Sequence, residues 1–128
     1  NRDGDLLSDM VLQMFGSIAG SESMVIGLDE EGHVSRVMAE APHGTAPALQ
    51  GKNVANPMAM ILAAAGMLAN MEGAEAGRAS RAIYEATLEA VFEGHRTADL
   101  GGTATTSAFT DEVIRRAKSK VEVWRTMG

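Results

Sequence analysis

Cysteine is absent from the 128 residues, which excludes a disulfide framework and any thiolate metal site and leaves the cytoplasm as the expected compartment. An excess of positive charge is lacking as well. Eleven Lys and Arg stand against 17 Asp and Glu, for a net charge of −6 and a pI near 5.0. The acids are spread along the chain, so neither nucleic acid nor an anionic membrane surface is expected as partner, and small molecules or other proteins are. There is no long hydrophobic run: the stretch from Met58 to Ala69 falls well short of the roughly 20 residues that cross a bilayer. No internal repeat and no low-complexity tract is found. The chain opens on Asn1 rather than Met, with no basic region leading into an apolar core as a secretory signal would have. Removed or omitted upstream sequence is therefore expected.

What is present suits one soluble domain with a buried core: 45% hydrophobic and 22% charged residues. Leu6, Met10, Val11 and Met14 follow helical spacing over residues 5–15, with Gly16 placed as a stop. Residues 23–28 read as a strand, 29–33 as a turn around Gly32, and 34–41 as a second strand, together a plausible hairpin. All three prolines fall in residues 42–57, which predicts irregular surface chain of the kind that binds ligands.

Asn56 is expected to cap a helix whose first residue is Pro57, with Met58, Ile61, Leu62, Ala65, Leu68 and Ala69 forming its apolar stripe. A second helix is predicted over 74–93, its small-residue stripe formed by Ala76, Ala79, Ile83, Ala86 and Ala90 and its end by Gly94. Asp99 to Gly102 breaks the chain. A third long helix follows over about 107–127, facing inward with Val113, Ala117, Val121 and Trp124. The class is α/β: two short strands with about four helices, the sheet completed by strands from upstream sequence, since two strands alone cannot cover three amphipathic helices.

Three segments could carry chemistry. Asp5 and Asp9 are four apart, so on a helix both carboxylates share a face and could hold Mg²⁺ or Mn²⁺. Acids also gather at helix amino termini for dipole reasons, and spacing alone leaves both readings open. The loop His43-Gly44-Thr45-Ala46-Pro47 with Gly51-Lys52-Asn53-Val54-Ala55-Asn56-Pro57 could set backbone N–H groups, His43 and a helix amino end against a planar or phosphorylated ligand, or be a plain crossover. The glycines of Asp99 to Thr106 could again approach a cofactor, but the segment is neither type of phosphate-binding glycine motif, and a turn with a helix cap is the more common use of such residues. His33 and His95 are expected in solvent and the methionines in packing. No Ser/His/Asp or Cys/His pattern stands out.

Taken in order, the segments resemble the β-decarboxylating dehydrogenases that include isocitrate, isopropylmalate, homoisocitrate and tartrate dehydrogenases. Asn1, Gly4-Asp5 and Leu7-Ser8-Asp9 are similar to that family's metal motif. His43 to Pro47 is similar to its cofactor loop, Ala55-Asn56-Pro57 to the start of the helix behind that loop, and Asp99 to Gly102 with Phe109-Thr110 to its closing segment.

The resemblance implies an isocitrate/isopropylmalate dehydrogenase-like fold in which residues 1–16 end the smaller, dimer-forming domain and residues 17–128 form the carboxy-terminal part of the cofactor-binding domain. It implies metal ligation by Asp5 and Asp9. It also implies that His43, Gly44, Thr45, Ala46, Pro47, Ala48, Leu49 and Asn56 line the adenosine end of NAD or NADP. The expected chemistry is oxidation and decarboxylation of a small-molecule 2-hydroxy acid by a cytoplasmic homodimer.

The catalytic lysine and tyrosine, a further metal aspartate and the substrate-clamping arginines are expected upstream. Tyr84 sits mid-helix, and Arg115, Arg116, Lys118 and Lys120 are placed on a solvated helix face, so the chain alone should be inactive. The absence of a cation at Ala48 and Leu49 favours NAD, although Lys52 or Arg96 could serve a 2′-phosphate, and Thr45 favours isocitrate over isopropylmalate. The alternative is a non-catalytic fragment or pseudoenzyme acting as a binding or oligomerisation module.

Overall fold

The computed structural model describes Met10 and residues 22–127. The predicted helix over 5–15, with Asp5 and Asp9, lies outside the described residues except for Met10, which is helical and exposed. The described elements are β1 (Ser23–Leu28), β2 (Val34–Glu40), α1 (Met58–Ala69), α2 (Ala74–Phe92) and α3 (Thr106–Met127), with 3-10 turns at Pro47–Leu49 and Ala98–Leu100. Three α-helices are thus described, against the four or so expected.

β1 and β2 form the predicted antiparallel hairpin, Val25 opposite Met38 and Ile26 opposite Val37. Its turn closes on one side chain: Asp29 Oδ1 accepts the N–H groups of Glu31 at 3.1 Å and His33 at 2.7 Å, and Gly32 takes the positive φ of 86° that the reversal needs. β2 stops at Glu40, one residue earlier than predicted. There the His43 N–H reaches back to the Ala41 carbonyl at 2.8 Å, a three-residue turn that redirects the chain. Val25, Ile26, Leu28, Val34 and Met38 stay exposed. Neighbouring strand residues point to opposite faces, so the hairpin is apolar on both sides, the pattern of strands meant to be covered on both.

α1 begins at Met58, with Pro57 at the cap, one residue later than expected. Proline has no N–H to offer, and Asn56 Oδ1 instead accepts the Met58 N–H at 2.9 Å. The helix is buried at Met58, Ala59, Leu62, Ala63, Ala65 and Gly66, wider than one stripe, because it packs against the hairpin and against α2. A Cβ on Gly66 would lie 3.2 Å from Met24 Sδ, so the small residue is what lets the hairpin approach. Ala69, expected on the apolar stripe, is exposed at the last turn.

α2 packs on α1 and on α3. The shared core is Met58, Leu62, Ala86, Ala90, Phe109 and Val113, in which Phe109 is the largest fully buried side chain. Burying it contributes on the order of 2 kcal/mol, and the alanines of α2 leave room for its ring. Of the stripe predicted on α2, Ala86 and Ala90 are buried while Ala76, Ala79 and Ile83 are half-buried. Contact on two sides also buries Ser80, Ala82 and Thr87, and the Thr87 hydroxyl is satisfied by donating to the Ile83 carbonyl at 2.7 Å.

The solvated face expected on α3 is half wrong. Arg115 and Lys118 are exposed, but the side chains of Arg116 and Lys120 are only 11% and 20% exposed. They lie along the α2–α3 seam: Arg116 bonds Glu93 and Glu112, each at 2.6 Å, and Lys120 bonds Glu89 at 2.7 Å. Their aliphatic stems cover the seam while their charges meet Glu89 of α2, Glu93 at its cap and Glu112 of α3. The hydrogen bond from Arg115, opposed by burial and reinforced by Arg116, holds the Glu112 carboxyl down to about 2.

At the other end of the layer Tyr84 donates its hydroxyl to Glu22, tying the lead into β1 to α2. Burial, then the bond and charge of Glu22, push this phenol up to about 12. No described helix is long and apolar enough to cross a membrane.

Candidate functional site

The loop between β2 and α1 emerges from the buried Ala41 and runs exposed from His43 to Ala55. His43 Nδ1 lies 3.0 Å from the Gly44 carbonyl, which holds the ring over its own backbone. Ala46 adopts a left-handed conformation (φ 42°) ahead of the Pro47–Leu49 turn, an uncommon state for a residue with a Cβ. The turn is closed by the Leu49, Gln50 and Lys52 N–H groups donating to Ala46, Pro47 and Leu49. By contrast the N–H groups of Gly44, Thr45, Ala46 and Ala48 meet no backbone acceptor among the described residues. A Cβ on Gly44 would touch nothing within 4 Å, so this side of the loop is open to a ligand.

The far end of the loop is clamped by a set of neutral side chains that sequence reasoning did not single out. Asn53, left-handed at φ 56°, donates through Nδ2 to Ser107 Oγ at 2.8 Å and accepts the Ser107 N–H at 3.0 Å. Its carbonyl accepts the Thr106 N–H at 3.0 Å, and the Thr106 hydroxyl donates to the Ala55 carbonyl. Thr105 Oγ1 accepts the Ala108 N–H at 3.1 Å, which starts α3 at Thr106, one residue ahead of the prediction, by an ordinary hydroxyl cap. The available signal was an asparagine in a glycine-containing turn, together with three consecutive hydroxyl-bearing residues at the start of a helix.

Asn56 joins this loop to the Asp99 segment. It donates through Nδ2 to Asp99 Oδ2 at 2.9 Å, while Asp99 Oδ1 accepts the hydroxyl of fully buried Thr97. The turn behind is tight: Gly101 is left-handed, the Gly102 N–H donates to the Thr97 carbonyl at 3.0 Å, and a Cβ on Gly102 would fall 2.0 Å from the Arg96 carbonyl oxygen. Residues 99–106 are thus a turn followed by a helix cap, and the segment abuts the loop. The second and third candidate segments are brought together at Asn56, and His43 to Leu49 form the exposed rim. Asp5 and Asp9, the candidate metal ligands, lie outside the described residues.

The histidines behave as expected. His33 is exposed beside Asp29, and His95 is exposed at 3.8 Å from Glu112. Asp29, Glu31 and His33 could place ligand atoms within 4.8 Å of one another, but Asp29 is already engaged in closing the hairpin turn. Arg96 donates through Nε to the Val91 carbonyl at 2.7 Å and so holds the end of α2.

The model of the isocitrate/isopropylmalate dehydrogenase family matches residues 1–113. The chain is 40% identical over 118 residues to an isocitrate/homoisocitrate dehydrogenase of Thermus thermophilus, covering 91% of this chain and 32% of that protein. It is 36% identical over 118 residues to a 3-isopropylmalate dehydrogenase of Lactococcus lactis, covering 92% and 32%. The crystal structure of an isocitrate dehydrogenase from Methylococcus capsulatus superposes with a TM-score of 0.70 at 29% identity, over 89% of this chain and 32% of that one. The chain therefore spans about a third of the length of these relatives.

Proposed function

This chain belongs to the isocitrate/isopropylmalate dehydrogenase family, and from that premise we propose that it is the carboxy-terminal segment of an oxidoreductase that oxidises and decarboxylates a 2-hydroxy acid. The observation that carries the reading is the loop of residues 43–57, open along its rim and clamped at its base to residues 97–107. Its donors suit the adenosine end of NAD or NADP: backbone N–H groups at Gly44, Thr45, Ala46 and Ala48, the His43 ring, and the Asn56 amide. Residues 17–128 form the end of the cofactor domain in this proposal. Residues 1–16 close the smaller domain at a homodimer interface, with Asp5 and Asp9 as the ligands to Mg²⁺ or Mn²⁺.

When bound, the dinucleotide supplies the hydride acceptor, and the cation a Lewis acid for the carbonyl oxygen and for the negative charge left by CO₂ loss. The part of this chain is to bind and orient: its loop fixes the adenosine end, and its two aspartates provide the hard oxygen ligands such a cation prefers. NAD is favoured over NADP, because Ala48 and Leu49 offer no cation and Arg96 is engaged with Val91. Isocitrate is favoured over isopropylmalate on Thr45. The proton-transfer groups and carboxylate clamps come from the remaining two thirds of the polypeptide, and the site of action is cytoplasmic.

The test is a reduction assay on the full-length protein with Mn²⁺, NAD or NADP, and isocitrate or isopropylmalate. Turnover that Asp5→Asn or Asp9→Asn lowers at least a hundredfold is the expected outcome. Absence of turnover with both acids and both dinucleotides, from protein shown to be folded, overturns the reading.

A further inference from the structure

Asn56 has three hydrogen-bonding groups on its amide, and two are committed in a way that removes its freedom. Its oxygen accepts the Met58 N–H at 2.9 Å and its nitrogen donates to Asp99 Oδ2 at 2.9 Å. A half-turn of the amide would set nitrogen against an N–H and oxygen against a carboxylate, losing both bonds and adding two repulsions. Among the described residues one N–H of Asn56 is left over, in a fixed direction, on a half-buried residue at the base of the open loop. Asp99 cannot drift either, because its other oxygen holds the hydroxyl of Thr97, which is fully buried, and the turn after it is fixed by Gly102 packed on the Arg96 backbone.

We propose that Asp99 is a positioning residue for the dinucleotide site, acting through Asn56 by locking the orientation of its amide against the start of α1. The inference rests on the assignment of the 43–57 loop as the adenosine site. It adds a dependence between two residues 43 apart in the sequence. Asp99 touches no ligand in this account: it supplies the carboxylate that makes one amide orientation the only satisfied one. Leucine in its place has nearly the shape of aspartate and offers no acceptor, so both the Asn56 bond and the Thr97 bond are lost.

The experiment is calorimetric binding of NAD and of ADP-ribose to the full-length protein, without substrate, across a double-mutant cycle of Asp99→Ala and Asn56→Ala, with thermal unfolding alongside. Asp99→Leu, nearly the same size and without an acceptor, is the second variant should Asp99→Ala fail to fold. Asp99→Ala is expected to weaken binding roughly fivefold to tenfold, the scale of one charge-assisted hydrogen bond partly exposed to water. In the Asn56→Ala background the same change should alter Kd less than twofold, which a purely structural role would not produce. Unchanged binding in a folded Asp99 variant, or losses that simply add in the double variant, overturns the proposal while leaving the assignment of the loop intact. If the unaltered protein binds neither probe, the adenosine-site reading falls, and the role of Asp99 with it.

Discussion

The helical layer and the hairpin of this chain are built from similar proportions of apolar residues, yet they end in opposite states. α1, α2 and α3 put Met58, Leu62, Phe109 and Val113 out of solvent and line the seam between α2 and α3 with acid–base pairs. The hairpin leaves Val25, Ile26, Leu28, Val34 and Met38 exposed. The difference follows from geometry. Three helices present stripes that can close on one another, whereas a two-stranded ribbon has two faces and two edges and, among the described residues, one neighbour, α1, which covers part of one face. Stability in this chain should therefore be concentrated in the helices, and substitutions should rank accordingly.

The largest effect is expected at Phe109, where all three helices meet. Phe109→Ala removes a fully buried ring from a core in which Ala86 and Ala90 are too short to fill the space, and should cost about 3–5 kcal/mol by chemical denaturation. Gly102→Ala comes next. Its Cβ would lie 2.0 Å from a backbone carbonyl oxygen, a group with no rotamer to yield, so the turn must shift. We expect a loss of about 1–3 kcal/mol together with weaker dinucleotide binding. A loss smaller for Phe109→Ala than for Gly102→Ala would mean that the junction of loop and turn, rather than the helical core, sets the stability.

Most of this architecture was legible beforehand. Both strands, the turn at Gly32 and the three described helices fall within a residue or so of their predicted bounds, because period and punctuation are local properties: alternation in the strands, helical spacing after Pro57, Gly94 and Gly101 as stops. The larger corrections involve partners distant in sequence. Arg116 and Lys120 looked like a solvated face because nothing in their neighbourhood announces Glu89 on α2 and Glu93 at its cap. Asn53 carries its clamp only because Ser107, half the chain away, is folded against it. Phe109 was noted as part of a motif and not as the centre of the core, since a single aromatic residue gives no periodic signal. The loop from His43 to Leu49 was singled out by its own composition, while its assignment to a cofactor came only from the order of motifs, which local spacing could not have supplied.

The ion pairs along the α2–α3 seam give a smaller and pH-dependent effect. Glu112, held near 2 against an ordinary 4.5, is a carboxylate whose ionised form the fold favours. Its contribution is therefore complete above about pH 4.5 and is lost as the pH falls toward 2. Glu112→Gln should cost no more than about 1 kcal/mol at pH 7. The gap between the two proteins, followed by urea unfolding at successive pH values, should close between pH 4.5 and 2. A gap that persists unchanged to pH 2 would show that Glu112 acts by packing its stem rather than by its charge.

The smallest effect, and the one that bears most directly on the contrast between the two regions, belongs to the hairpin. Val25 is 54% exposed and pairs across the ribbon with Met38, 51% exposed, on the face opposite the one that Met24 turns toward Gly66. Val25→Thr keeps the β-branched shape and the strand preference while adding a hydroxyl that water can reach. In the 128-residue chain it should move stability by less than about 0.5 kcal/mol. Light scattering should show less self-association, because the exposed apolar ribbon is the surface most prone to it. In the full-length protein the same substitution reports on cover: if further strands or helices pack on that face, the hydroxyl is buried without a partner and the cost rises to about 1–3 kcal/mol. Equal and small costs in both would mean that the hairpin remains an open ribbon in the whole protein, and that the contrast with the helical layer is intrinsic to the fold.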